Sequence, residues 1–130
     1  MEIKRLMIDT SIYIEYLRGN KDIKNILDFT DIISFSVISI GEIFAGFHLN
    51  KNIKKYLTEV EEFLNSPRLI IYNIDSETAE FYAKIVSELK LNGSPIPTND
   101  IWIAALALQH GIKLFTTDNH FKKVPGLFLI

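Results

Sequence analysis

The fold of this chain is decided by residues 98–111, which read TNDIWIAALALQHG. The first two residues of the stretch are favourable helix N-caps, and Gly111 is typical of the position that ends a helix. Between them, residues 101–108 are all apolar. Because a helix without a polar face is normally buried on all sides, we expect a helix over residues 100–110 at the centre of the molecule.

Apolar strand patterns alternate with helical patterns on both sides of this helix. We expect strands at residues 3–8, 32–35, 69–72, 113–116 and 127–130. The helices are expected at residues 11–18, 21–29, in the segment after Ser39, at 50–65 and at 76–91. This alternation predicts an α/β fold, a three-layer α/β/α sandwich whose central sheet is mainly parallel and covered on both faces.

Length and composition are consistent with one domain over residues 1–130. The chain has no cysteine, which excludes disulfides, zinc–thiolate sites and cysteine nucleophiles and fits a reducing compartment. Its longest apolar run is too short to cross a membrane. We therefore expect a soluble cytoplasmic protein. The net charge of −2 neither supports nor excludes a nucleic-acid partner.

Four acidic residues adjoin apolar segments, where a carboxylate is costly unless it is paired. They are Asp9, Glu42, Asp100 and Asp118. No lysine or arginine occurs in the three positions before Glu42, Asp100 or Asp118. A divalent metal such as Mg²⁺ or Mn²⁺, which prefers oxygen ligands, is the simplest partner for these carboxylates.

The predicted topology brings the four acids to one edge of the sheet. Asp9 and Asp118 follow the first and fourth predicted strands, whereas Glu42 and Asp100 lie in the first turns of helices that start from the same edge. Ligands of open parallel sheets bind beyond the carboxyl ends of the strands. Carboxylates there would hold one or two ions that activate water and position a phosphodiester for displacement.

Each acid also has a purely structural explanation. Ser39 and Glu42 match a capping box. Asp100 lies in the first turn of its predicted helix, where the helix dipole favours an acid. Asp118 fits a turn, and Asp9 fits a helix N-cap. The predicted position of all four at one edge favours a functional site over four separate structural roles.

The segments that contain these acids resemble the motifs of PIN domains. They are Ile8–Ser11, Ser36–Ile43, Ile96–Ala105 and Thr116–Phe121, the last followed by Val124–Leu127. Their order, the chain length and the closing segment are most similar to VapC-type toxins of bacterial and archaeal toxin–antitoxin pairs. The resemblance extends from about Leu6 to Leu127, which is nearly the whole chain.

This resemblance implies a Mg²⁺- or Mn²⁺-dependent endoribonuclease that hydrolyses RNA phosphodiester bonds. It assigns catalysis and metal binding to Asp9, Glu42, Asp100 and Asp118. It also implies that Thr10, Ser11 and Thr117 orient ligands or phosphate, although relatives often carry asparagine in place of Ser11. A homodimer is implied, together with a VapB-type antitoxin whose C-terminal segment occupies the groove and blocks the site.

Other basic and aromatic residues are candidates for contacts with partners. RNA phosphates would be contacted by Arg18, Lys21, Lys24, Lys51, Lys54 and Lys55, for which a solvated surface is the alternative. An antitoxin helix would bind a groove of Tyr13, Tyr16, Phe44 and Phe47, for which core packing is the alternative. We expect Trp102 in the core. The histidines His48, His110 and His120 show no spacing typical of metal ligands.

Two other functions are compatible with acids at strand ends. A phospho-receiver signalling module also binds Mg²⁺ there, but the first strand here ends in the single Asp9 rather than in an acidic pair. A PIN domain that serves only as a scaffold in RNA processing is the second alternative. The complete set of four acids favours an active enzyme over that scaffold.

Overall fold

A computed structural model describes residues 2–49 and 51–130 of the chain. The elements, in chain order, are β1 (Ile3–Ile8), α1 (Thr10–Leu17), α2 (Lys21–Asp28), β2 (Thr30–Ser36), α3 (Val37–Phe47), α4 (Ile53–Leu64), β3 (Leu69–Tyr72), α5 (Ser76–Leu91), α6 (Thr98–His110) and β4 (Leu114–Phe115). A 3-10 helix covers Asn119–Lys123. The predicted helix over 50–65 is thus shorter, and its first residue lies outside the described part of the chain.

The four strands of the described residues form one parallel sheet in the order β3-β2-β1-β4. The prediction of a fifth strand at 127–130 is wrong, because only Leu129 pairs there, in a single parallel bridge to Leu114. The partner strand β4 is two residues long, so it offers little backbone for a longer ladder. The prediction of a mainly parallel sheet is confirmed.

Helices cover both faces of the sheet and complete the predicted three-layer sandwich. On one face, Met7 of β1 packs with buried residues of α5 and α6. On the other face, Leu6 and Ile8 pack with α1, α2 and α4. All three β1 side chains are fully buried. The strand therefore lies between two apolar cores, which explains its uninterrupted apolar sequence.

Helix α6 is the buried central helix that its sequence predicts. Six of its residues are buried, namely Ile101, Ile103, Ala104, Ala105, Leu106 and Ala107. Trp102 is only half-buried, and its ring stacks on that of Tyr82 of α5 at 3.9 Å between centroids.

Among the described residues, no helix is both long and apolar enough to span a membrane.

Two of the predicted helix starts are wrong, and the error affects the site. Helix α3 starts at Val37, where the Ser36 hydroxyl accepts a hydrogen bond from the Ile38 amide at 2.9 Å. Ser39 therefore lies inside α3 and cannot cap it. Helix α6 starts at Thr98 behind Pro97, without a side-chain cap. In both cases the helix starts earlier than the sequence predicts, which places its acid further along the first turns.

The carboxyl ends of β1 and β4 meet at one edge of the sheet. Ile8 pairs with Phe115, so Asp9 and Thr116 are the next residues on neighbouring strands. The predicted strand over 113–116 ends one residue earlier than expected, at Phe115, and the Thr116 hydroxyl beyond it bonds to the Asp9 carboxylate and the Asp118 amide. This edge holds the candidate site.

Candidate metal centre

Asp9 is held more firmly than any other acid at this edge. Its Oδ1 accepts hydrogen bonds from the Ser11 hydroxyl at 2.6 Å and the Ile12 amide at 3.1 Å, and its Oδ2 accepts one from the Thr116 hydroxyl. Asp9 is therefore the N-cap of α1, as its structural explanation predicts. An ionised carboxylate offers about four acceptor positions, so three donors leave one position for another ligand.

Burial raises the pKa of Asp9, and the hydrogen bonds from Ser11, Thr116 and Ile12 partly oppose that shift. The negative charge of Asp118 raises the pKa further. Only 3% of the residue is exposed. Asp9 is thus a buried carboxylate for which a nearby cation would remove an electrostatic cost.

Thr116 links Asp9 to Asp118 and is a site residue that the sequence analysis missed. Its hydroxyl donates to Asp9 and accepts a hydrogen bond from the Asp118 amide at 2.9 Å. The neighbouring Thr117, which the resemblance selects, is exposed and contacts Ser11 through its backbone amide at 3.3 Å. The sequence does contain a signal for this role, because Thr116 ends the predicted strand over 113–116 and lies two residues before Asp118.

Glu42 enters the same site from α3. Its Oε1 accepts a hydrogen bond from the Thr10 hydroxyl at 2.7 Å. The capping-box explanation is wrong for Glu42, because the helix starts before Ser39. Thr10 thus holds the Glu42 carboxylate through a hydrogen bond between neighbouring helices.

Among the described residues, Asp100, Asp118 and His120 form a group of potential metal ligands. One side-chain atom of each lies within 4.8 Å of the others. The Nδ1 atom of His120 is 3.2 Å from Asp100 Oδ2 and 3.4 Å from Asp118 Oδ1. Together with Glu42, these three residues line an open cleft of about 410 Å³. His120 was missed because a single histidine carries no ligand-like spacing.

The electrostatics of Asp100 link the cleft to the other acids. Burial raises the pKa of Asp100, and the negative charges of Asp118 and Glu42 add to that shift. The hydrogen bond and charge of His120 oppose it. The negative charge of Asp118 thus repels those of Asp9 and Asp100, and Glu42 also repels Asp100. A bound cation would relieve this repulsion.

The donor set at this edge fits a divalent metal. Within residues 2–49 and 51–130, the lysine and arginine ion pairs all involve acids outside the quartet: Glu15, Asp28 and Glu59. Four carboxylates and one imidazole, without a lysine or arginine partner, are the oxygen-rich surroundings that Mg²⁺ and Mn²⁺ prefer.

A second cleft of about 430 Å³ begins at Thr10 and Glu42 and runs between α1, α3 and α4. Its apolar lining includes Ile14, Ile43 and Phe47. We call it the α3 groove. Of the four aromatic residues predicted to line a groove, Tyr13 and Phe47 are buried, whereas Tyr16 and Phe44 are each 38% exposed. Only Phe47 of these four lines the α3 groove.

The candidate RNA-binding residues divide into three groups by position. Arg18 and Lys55 line the α3 groove, where Arg18 pairs with Glu15 at 2.9 Å and Lys55 pairs with Glu59 at 4.0 Å. Lys24 lines a different cavity and pairs with Asp28 at 2.8 Å. The others, Lys21, Lys51 and Lys54, are exposed.

Residues 6–127 match the family described as PIN domain. The chain belongs to the PIN domain family. This PIN domain is 32% identical over 127 residues to Ribonuclease VapC1 of Rickettsia felis, a match that covers 94% of this chain and 92% of the relative. It is 28% identical over 130 residues to Ribonuclease VapC4 of Mycobacterium tuberculosis, across 100% of this chain and 98% of the relative.

The fold of this PIN domain is also similar to that of a solved toxin–antitoxin complex. The structure of VapBC2 from Rickettsia felis, bound to a DNA fragment from their promoter, matches with a TM-score of 0.89. The match has 25% sequence identity and covers 97% of both chains. The expected family is therefore confirmed.

Replacing Thr116 by valine should weaken metal binding about 10- to 100-fold, the usual cost of losing a residue that orients a metal ligand. The variant removes the donor to Asp9 and the acceptor for the Asp118 amide. Isothermal titration with Mn²⁺ measures the effect. Thr58→Val is the matched control, since that side chain is exposed on α4 and its hydroxyl bonds only to the backbone of Lys54. Equal affinities for the two variants would contradict the role of Thr116.

Proposed function

We propose that this PIN domain is a metal-dependent endoribonuclease and the toxin of a VapBC-type toxin–antitoxin pair. In this proposal Mg²⁺ or Mn²⁺ is held by Asp9, Glu42, Asp100 and Asp118. The observation that carries the proposal is the convergence of these acids on one edge of the sheet without a lysine or arginine partner in the described residues. The relatives named Ribonuclease VapC support the same activity.

The chain's own residues have distinct tasks in this reaction. Ser11 and Thr116 fix the Asp9 carboxylate, and Thr10 fixes Glu42, so that two ligands are oriented before any ion arrives. Asp100 and Asp118 face the open cleft, where a phosphodiester can approach. A bound divalent cation supplies charge neutralisation for the phosphate and acidifies an attacking water.

The position of the α3 groove suggests how RNA reaches the site. Arg18 and Lys55 lie along a groove that ends at Thr10 and Glu42. Phosphates that follow this groove would compete with Glu15 for Arg18 and with Glu59 for Lys55 on the way to the carboxylates. We therefore propose Arg18 and Lys55, ahead of the other four candidates, as RNA contacts.

The same groove suits the C-terminal segment of a VapB-type antitoxin, which would block access to Glu42. The similar solved structure from Rickettsia felis is that of VapBC2, which supports such a partner. Coexpression with the protein encoded beside this gene should suppress RNA cleavage and yield a stable complex. Full cleavage in the presence of a folded neighbour would contradict this assignment. We also propose a cytoplasmic homodimer, which sedimentation equilibrium would test.

A metal-dependence assay tests the nuclease itself. Protein stripped with EDTA would be incubated with total RNA in the absence of metal and with Mg²⁺, Mn²⁺ or Ca²⁺. We expect discrete fragments only with Mg²⁺ or Mn²⁺, because a hydrolytic site needs small cations that activate water. Intact RNA under all conditions, with folded and antitoxin-free protein, would favour the scaffold alternative.

A further inference from the structure

The site contains one nitrogen donor whose position the four-acid site does not explain. His120 follows Asp118 by two residues in the 3-10 helix, and its Nδ1 atom lies between two carboxylate oxygens. Hydrogen bonding to Asp100 alone would not require a second acid at 3.4 Å from the same nitrogen. The imidazole nitrogen thus lies close to both acids in the cleft that the three residues line.

The separations between these atoms agree with a shared metal ion. Ligands at neighbouring corners of an octahedron, each about 2.1 Å from the ion, lie about 3.0 Å apart. The Nδ1 atom of His120 is 3.2 Å from Asp100 Oδ2 and 3.4 Å from Asp118 Oδ1. These two separations exceed the octahedral value by about 0.2 and 0.4 Å, and one atom of each of the three residues lies within 4.8 Å of the others.

The fold also restricts where His120 can go. The next residue, Phe121, is fully buried in the core formed with α5 and α6. Val124, at the end of the same 3-10 helix, is buried in that core as well. Two buried side chains anchor the short helix, so the imidazole is held at the cleft although 44% of it is exposed.

We propose that His120 is a metal ligand and biases this centre towards first-row transition ions such as Mn²⁺ over Mg²⁺. Imidazole nitrogen is a common ligand of transition ions, whereas Mg²⁺ favours carboxylate, carbonyl and water oxygens. The inference rests on the proposed function for the presence of a metal at this edge. It deepens that function, because a nitrogen ligand determines which ion serves best.

The test measures metal binding without RNA. Pulsed electron paramagnetic resonance of Mn²⁺ bound to the wild-type protein should show modulation from a directly coordinated ¹⁴N nucleus. This measurement needs no variant. Titration calorimetry would then compare the wild type with His120→Gln. The control is His48→Gln, because the His48 side chain is exposed at the end of α3. We expect His120→Gln to lose at least about 10-fold in Mn²⁺ affinity and less than about 3-fold in Mg²⁺ affinity.

Three outcomes would overturn the inference. They are the absence of nitrogen modulation in the wild type, an equal loss of affinity for both ions, and a similar Mn²⁺ loss in His48→Gln. An equal loss for both ions would show that His120 only positions Asp100. If Mn²⁺ binds through nitrogen but RNA stays intact, the proposed nuclease fails while this inference stands.

Discussion

Asp100→Asn should lower metal-dependent RNA cleavage by at least about 100-fold while the protein stays folded. The loss of residues that merely orient a metal ligand already costs about 10- to 100-fold in affinity or activity. Asp100 lies closer to the reaction, since it faces the open cleft with Asp118 and His120. Asparagine keeps the shape of the side chain but removes the charge that a cation needs.

The matched control for this variant is Asp22→Asn. Asp22 is also an acid in the first turn of a helix, but it is exposed on α2 and absent from the site. We expect wild-type cleavage from the control at every metal concentration. Initial rates on a purified RNA, with circular dichroism to confirm folding, measure both variants. Cleavage by Asp100→Asn within threefold of wild type would exclude the four-acid mechanism.

Much of this fold is predictable from local sequence. The apolar residues of α6 define a buried helix, and the fully apolar end of β1 defines a strand between two cores. Once strands and helices alternate, the edge that collects Asp9 and Asp118 follows from topology alone. The placement of Asp9 and Asp118 at the same edge is therefore predictable from the sequence.

The details that were not predictable depend on contacts between distant parts of the chain. Ser39 has the chemistry of a helix cap, but Ser36 takes that place one turn earlier. Thr116 and His120 look ordinary in sequence, because their roles arise from partners on other elements: Asp9 for the first and Asp100 for the second. Such roles require the folded chain, since no local pattern encodes the distance between two loops.

Metal binding should raise the free energy of unfolding by about 2.7 kcal/mol when the free ion is at 100 times its dissociation constant. The folded protein holds mutually repelling carboxylates that an ion would neutralise, whereas the unfolded chain separates them. Urea denaturation in EDTA and in Mn²⁺ measures this difference. We expect Asp100→Asn to gain much less from Mn²⁺, and an equal gain in both proteins would contradict a site at Asp100.

The same carboxylates determine how the metal-free protein responds to pH. The pKa of Asp100 is raised above its ordinary value of 3.8 by burial and by Asp118 and Glu42. The folded state therefore binds a proton at Asp100 more tightly than the unfolded state does. This protonation stabilises the fold fully below pH 3.8, and the stabilisation is lost as the pH rises through the raised pKa of the folded state. In EDTA at neutral pH, Asp100→Asn should consequently be more stable than wild type.

Comparison of the two proteins across pH reports Asp100 together with the groups coupled to it, namely Asp118, Glu42 and His120. In EDTA, the advantage of Asp100→Asn should shrink as the pH falls towards 3.8, because the wild-type carboxyl then becomes neutral too. In Mn²⁺ the order should reverse at neutral pH, since only the wild type keeps the full set of charges for the ion. A variant that is less stable than wild type in EDTA would mean that Asp100 serves the fold through its hydrogen bond to His120. The reversal by metal is the result that a structural role alone cannot produce.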